Sequence, residues 1–287
     1  KAVYPLSYFY AANEGGEINL DAQNQVFGYY HWSWFLFGKG EVDAKAFQCP
    51  SFPNGGHPRT NPGPVPEGWE NGQVDDAFKK YTGGSDYVEE RPAVRLSYTA
   101  NATIMPRNKL GNVPNDPLKN GPRRNRFVRE TEIKEPSRTI LATEFNRNWR
   151  IIADGSGDGL RSKSHRPVSP FATPGGSYNE YAPPLNVGAY QYWPSASDKN
   201  YGLKPLNFIE EQADSLASSP ANSELNFVGR HHPGGDRLGG TANFLYADAH
   251  VSRKTILQSL VDREWGRRYH GVTGNNEVSK NGYEYMP

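Results

Sequence analysis

The block Arg230–Val251, RHHPGGDRLGGTANFLYADAHV, constrains the fold more than any other stretch of this chain. Two adjacent histidines lead into a glycine-rich turn, and an apolar run follows that ends in Ala-Asp-Ala-His. Alternation along that run sets Tyr246, Asp248 and His250 on one face and Ala247 and Val251 on the other, the period of a half-buried strand. Directly behind it, Thr255–Tyr269 places Ile256, Leu257, Leu260, Val261 and Trp265 on one stripe, which predicts a helix. Its cations Arg263, Arg267 and Arg268 lie toward the C-terminal end, where they suit the helix dipole. A late strand that feeds an amphipathic helix needs other strands to pair with and a core to cover.

Two earlier segments supply such strands. Ala93–Ile104 alternates Val94, Leu96 and Tyr98 against polar neighbours, and Thr139–Phe145 (TILATEF) reads as a second strand. Ala2–Asn13 has apolar or aromatic residues at 2, 3, 6, 9 and 10 and is stopped by Gly15-Gly16. That spacing predicts the tail of a helix whose beginning lies before residue 1. Trp69–Tyr81 predicts a short helix with Val74, Ala77, Phe78 and Tyr81 on one side. The aromatic run Tyr29–Phe37 fits a short helix or a buried strand, with His31 as a core or rim histidine. Phe127–Ile133 reads as a connector.

Between these elements the chain is heavily punctuated: 30 Gly and 23 Pro interrupt it, while aromatics reach 13%. Disordered chains are poor in aromatics, so the composition indicates a folded core carrying long, Tyr-rich loops. Residues 154–222 read as one long loop-rich insertion within a single domain spanning 1–287. Charge is balanced, 32 basic against 31 acidic residues, which leaves no footprint for nucleic acid. Arg123, Arg124 and Arg126 form a local basic cluster in what reads as a solvated loop. Cys49 stands alone, so the chain forms no internal disulfide, and it reads as a small buried apolar residue.

Five short segments in order resemble one family. Ser7–Gly16 (SYFYAANEGG) is similar to the segment after a pilin helix, and Phe47–Ser51 (FQCPS) to a Cys-Pro-Ser element. Leu96–Asn101 (LSYTAN) resembles a Ser-Tyr-x-x-Asn strand, Pro136–Glu144 (PSRTILATE) a Pro-Ser-x-Thr strand, and His231–Val251 a terminal His…Asp-Gly signature. Together they resemble the type IV pilin-like, or pseudopilin-like, proteins of planctomycetes and related bacteria. Two departures stand out: Ala249 replaces the glycine of Asp-Gly, and the His-to-Asp interval is longer than usual. The resemblance implies an α+β, pilin-like fold. In it an N-terminal helix, mostly absent here, packs on an antiparallel β-sheet with long loops and a C-terminal helix. It further implies a structural subunit rather than an enzyme, self-assembling into a filament or a secretion pseudopilus. Its partners would be copies of itself and the pilus or secretion machinery. It would sit outside the cell, on the periplasmic side of the inner membrane before assembly.

Within this reading His232, Asp248 and His250 are structural residues of the signature loop. Adjacent histidines in a Pro-Gly-Gly loop are expected to point different ways, which disfavours a metal site there. The alternative is a metal-dependent hydrolase built on His231, His232 and Asp248. Asp154, Ser156 and Asp158 occupy positions 1, 3 and 5 of a calcium-loop pattern, but His165 stands where a bidentate Glu is needed. Calcium is therefore the one cofactor the sequence raises. Tyr178, Tyr181, Tyr190, Tyr192 and Trp193 suggest either subunit contacts or, in a carbohydrate-binding or adhesive module, a platform for surface glycans. Cys49 has no base in its local sequence, and Glu144 reads as a solvated or salt-bridged strand-end residue. Asn101-Ala102-Thr103 matches a glycosylation acceptor.

Overall fold

The computed structural model describes residues 2–10, 29–37, 40, 42–90, 93–106, 108–109, 127–156, 158–172, 191–192, 202–214, 224–269 and 276–277. It is a mixed α+β protein with mostly antiparallel sheets and few helices. Its centre is a five-stranded sheet of β1 (Tyr98–Ala100), β2 (Ile140–Glu144), β3 (His232–Asp236), β4 (Gly239–Tyr246) and β5 (Val251–Lys254). The order is β3-β4-β2-β1, with β5 also paired to β4, and every pairing is antiparallel. Thr139–Phe145 joins the late strand, but of the expected strand Ala93–Ile104 only Tyr98–Ala100 does: Thr99 pairs with Thr143 and Thr143 with Phe244, while Arg95–Leu96 pairs with His57–Pro58 in another sheet and Val94 is exposed.

Alternation decides what each face buries. Ala242, Phe244 and Tyr246 point into the main core, where they meet Ile140, Val168 and Phe171. Helix α1 (Leu206–Glu211) stands nearby, and α2 (Ile256–Val261) covers the core with Ile256 and Leu260. Thr255 caps α2 by accepting a hydrogen bond from the Gln258 amide. The stripe predicted a helix running on to Tyr269, but the helix stops at Val261. Arg263 adopts φ 58°, and the Glu264 carbonyl leaves to accept the Ile140 amide at 2.6 Å. That exit carries Trp265 into the core, where its indole donates to Ser259 Oγ at 2.9 Å.

Two further helix expectations fail for local reasons. Residues 2–6 carry no helix and Tyr8–Tyr10 is a strand paired with Tyr29–His31; residues 11–13 lie outside the described set. Pro5 accounts for this, since it lacks an amide donor and pushes the preceding residue toward extended backbone. Across Trp69–Tyr81, Gly72 takes φ 79° and Asp75 Oδ1 accepts the amides of Ala77 and Lys79, closing a tight turn in place of a helix. The run Tyr29–Phe37 is both alternatives in sequence, strand Tyr29–His31 and then helix Trp34–Phe37, with His31 buried. Within 154–222, the described parts contribute Leu160, Val168, Phe171, Leu203 and Ile209 to the interior. Ser162 and Ser164 both donate to the Pro58 carbonyl, tying this stretch to the first half of the chain. Among the described residues no helix is long and apolar enough to cross a membrane.

Candidate functional site

The second face of the sheet holds the site. Antiparallel register sets Tyr98 opposite Glu144, and the next strand brings Asn243 to the same carboxylate. Glu144, at the end of β2, is only 2% exposed, so it is neither solvated nor in a surface ion pair. Its carboxylate accepts the Asn243 amide at 2.9 Å and Asn243 Nδ2 at 3.1 Å. His232 Nε2 lies 2.9 Å from Oε1, and His231 Nε2 lies 4.0 Å from Oε2. Cys49 Sγ approaches Oε1 at 4.0 Å. One donor atom from each of Cys49, Glu144, His231 and His232 falls within 4.8 Å of the others.

Each member is held from behind. The Cys49 amide donates to Ser97 Oγ at 2.8 Å, and Ser51 Oγ sits 2.8 Å from the sulfur. The two imidazoles face the same centre with ring centroids 4.5 Å apart, contrary to the expectation that adjacent histidines diverge. The close approach needs Gly229: a Cβ there would lie 2.6 Å from the Phe145 carbonyl oxygen and 2.8 Å from His231 Cε1. Phe52 meets His231 edge-on at 5.0 Å and shuts that side. Neither ring nitrogen of His231 has a hydrogen-bond partner although both are buried. Burial, reinforced by neighbouring His232 and Arg147, pushes the His231 pKa down against the pull of Glu144.

The remaining sequence-marked residues lie elsewhere. At the tip of the β3–β4 hairpin, next to the histidines in sequence, Asp236 accepts the Leu238 amide at 2.8 Å. Asp248 and His250 form an exposed turn after β4, where Asp248 Oδ1 contacts His250 Nδ1 at 2.6 Å and His250 stacks on Tyr246. That hydrogen bond holds the Asp248 carboxyl below the usual carboxylate range. The His231/His232/Asp248 grouping is therefore split: the histidines meet Glu144 and Cys49, and Asp248 stands at the opposite end of β4. Asp154 and Ser156 are in a strand paired with Gly159–Arg161, and Asp158 is in the turn between. Asp154 bonds Arg161 at 2.6 Å with Lys163 close by. Partial burial opposes its ionisation, but the Arg161 hydrogen bond and these cations outweigh that and hold its pKa down. A calcium ion would have to displace a guanidinium there. Tyr178, Tyr181, Tyr190, Trp193 and the cluster Arg123, Arg124 and Arg126 lie outside the described residues.

Chemically the cluster offers one thiol, one carboxylate and two imidazoles. It is well composed to hold a transition-metal ion, for which a neutral imidazole is the required form. Sequence reasoning missed Cys49 and Glu144 as members. The signal for Glu144 was a lone acid inside the apolar strand TILATEF, a place where carboxylates are seldom buried without a partner. Against known proteins, no family model, no curated protein and no solved structure matches this chain.

Proposed function

We propose that this chain is a pilin-like structural subunit of an extracellular filament or a secretion pseudopilus, assembling with copies of itself and the pilus or secretion machinery. One observation carries the reading. Four of the five short segments that resemble the family, read as separate motifs, meet at a single buried knot. Cys49 and Ser51 come from the Cys-Pro-Ser element, Ser97 from the Ser-Tyr strand, Glu144 from the Pro-Ser-x-Thr strand, and His231 and His232 from the terminal signature. Motifs up to nearly two hundred residues apart that close on one another behave as one structural unit.

The outer face of the sheet supports the same reading. Trp32, Phe47, Tyr98, Leu245 and Val251 line a half-open, mainly apolar groove of about 510 Å³. Tyr4 donates to the Ala247 carbonyl at 3.2 Å, so the first described residues run past the end of this sheet. In the pilin-like reading the N-terminal helix that the resemblance implies covers that groove, burying apolar surface that water would otherwise contact.

Immunogold electron microscopy of cells producing the full native protein tests the reading. Gold tracking along filaments, or along a membrane-anchored pseudopilus recovered by shear, is the expected result. Label confined to soluble monomers, with no assembly in the purified native protein, would overturn it.

A further inference from the structure

We propose that Cys49, Glu144, His231 and His232 form a closed, four-coordinate site for a first-row divalent transition metal, zinc foremost. The site locks the Cys-Pro-Ser loop and the His231–His232 segment to the end of β2.

Three independent features point to an ion. First, the donor set is one sulfur, two imidazole nitrogens and one carboxylate oxygen, the mixture that zinc accepts and that hard cations such as calcium do not favour. Second, the spacing is right. Zinc bonds of about 2.0–2.3 Å arranged tetrahedrally require ligand atoms about 3.3–3.8 Å apart. The separations here run from 2.9 Å between His232 Nε2 and Glu144 to 4.0 Å for His231 Nε2 and for Cys49 Sγ, all within 4.8 Å. Shifts of about 0.4 Å outward for the closest pair and up to about 1.5 Å inward for the widest close the shell. Third, the protein leaves one of these groups, His231, without a hydrogen-bond partner. His231, its side chain 3% exposed, has two buried ring nitrogens with no hydrogen-bond partner. Glu144 is a buried carboxylate held by Asn243 hydrogen bonds, and among the described residues the basic groups within 4.0 Å of it are those two histidines. Unpaired buried polar groups are costly, and a single divalent cation resolves the orphan imidazole and the buried carboxylate together.

The surroundings fit an ion as well. Asn243 fixes both carboxylate oxygens of Glu144, and Ser97 and Ser51 fix the Cys49 backbone and sulfur. Supporting groups of this kind orient metal ligands. His232, with its side chain 21% exposed, and the groove reaching Glu144 give a way in. On binding, the Cys49 thiol loses its proton to solvent and the thiolate bonds the metal. All four positions are protein groups, which is the pattern of a structural centre rather than a catalytic one with an open position.

The test uses the whole purified chain, stripped with chelator and titrated with Zn²⁺ or Co²⁺. One ion per chain is expected. Co²⁺ should give tetrahedral visible bands with a thiolate charge-transfer band, and that band should vanish in Cys49→Ser. His231→Ala should abolish stoichiometric binding. Asn243→Ala should weaken it about 10- to 100-fold, as loss of a supporting hydrogen bond does. His250→Ala, at the distant turn, should change affinity less than twofold. Should the ligand variants fail to fold, X-ray absorption of the wild-type zinc protein decides: one sulfur among four ligands supports the site, and an all-oxygen or all-nitrogen shell overturns it. Folded wild-type chain holding less than a tenth of an ion in excess Zn²⁺, Co²⁺ and Cu²⁺ likewise overturns it. The outcome is independent of assembly, since filaments without metal or metal without filaments would each sink one reading and leave the other standing.

Discussion

Ala249 is the most direct quantitative handle on the signature turn. It stands where the family resemblance has glycine, and it adopts φ 71°, in the left-handed region. An L-residue with a Cβ loses roughly 1–2 kcal/mol there. Its methyl group is exposed, so removing it sacrifices no packing. The turn's backbone bonds, Ala249 amide to Tyr246 carbonyl and Tyr246 amide to His250 carbonyl, both 2.9 Å, are untouched by the change. Against the relieved strain, glycine restores about 0.4–1 kcal/mol of unfolded-chain entropy. Ala249→Gly should therefore stabilise the protein by about 0.5–1 kcal/mol. Ala249→Val, β-branched in the same conformation, should destabilise it by about 1 kcal/mol. At roughly 2–4 °C per kcal/mol for a chain of this size class, Tm should rise about 1–4 °C in the first variant and fall about 2–4 °C in the second. Calorimetry and urea midpoints at unchanged m-value would read both. If Ala249→Gly is neutral or lower while Ala249→Val matches wild type, residue 249 does not hold this conformation and the reasoning fails.

Three further outcomes follow from buried polar groups. Burial lowers the pKa values of His31 and His57 to about 3, so both are neutral in the folded protein while the unfolded chain protonates below about 6.5. Because the unfolded state binds the extra protons, stability should fall as pH drops from 6.5 toward 3, by about 2 kcal/mol per histidine at pH 5. Urea melts between pH 7.5 and 5 that show no such loss would refute this, and His31→Gln should remove about half of it. Asn101 is fully buried, donating to the Ile140 and Trp265 carbonyls and accepting from Thr103, so Asn101→Ala should cost about 2–4 kcal/mol. The same burial leaves no room for a glycan at Asn101-Ala102-Thr103, and intact-mass measurement of the purified protein should find that site unmodified.

Strands with clear alternation were the legible part of the fold. Ile140–Glu144 and Gly239–Tyr246 became neighbours in one sheet because their apolar period of two matches a half-buried surface, although the strand expected to run on to Val251 turns back after Tyr246. Helical spacing misled wherever a single residue outweighed it. Pro5 turned residues 2–6 away from helix, Asp75 closed a turn inside Trp69–Tyr81, and the Glu264 carbonyl found a strand partner in Ile140 and ended α2 early. Each is a specific hydrogen bond or a missing donor, and periodicity carries no information about either. Val168, Phe171 and Leu203 were illegible for another reason: they sit singly among Pro, Ser and Gly and are buried one at a time.

For the site, residue types were legible and partners were not. His231 and His232 were conspicuous, and Asp248 was attached to them only because it is close in sequence. A strand defeats that inference. His232 pairs with Thr241 at one end of β4, while Asp248 follows Tyr246 at the other. At about 3.3 Å per residue, Thr241 to Tyr246 alone spans about 16 Å, beyond the reach of any pair of side chains on a rigid strand. The groups that do reach His232 come from across the sheet, where register sets Glu144 beside Asn243 and Ser97 carries Cys49 in behind it. Sequence proximity therefore counts against contact once the intervening residues form a strand, and cross-strand register decides which distant residue takes the place. The same geometry explains why a signature can hold both pairs. His231 and His232 hold one end of β4 to the knot while Asp248 and His250 shape the turn at the other, so the motif fixes both ends of one central strand.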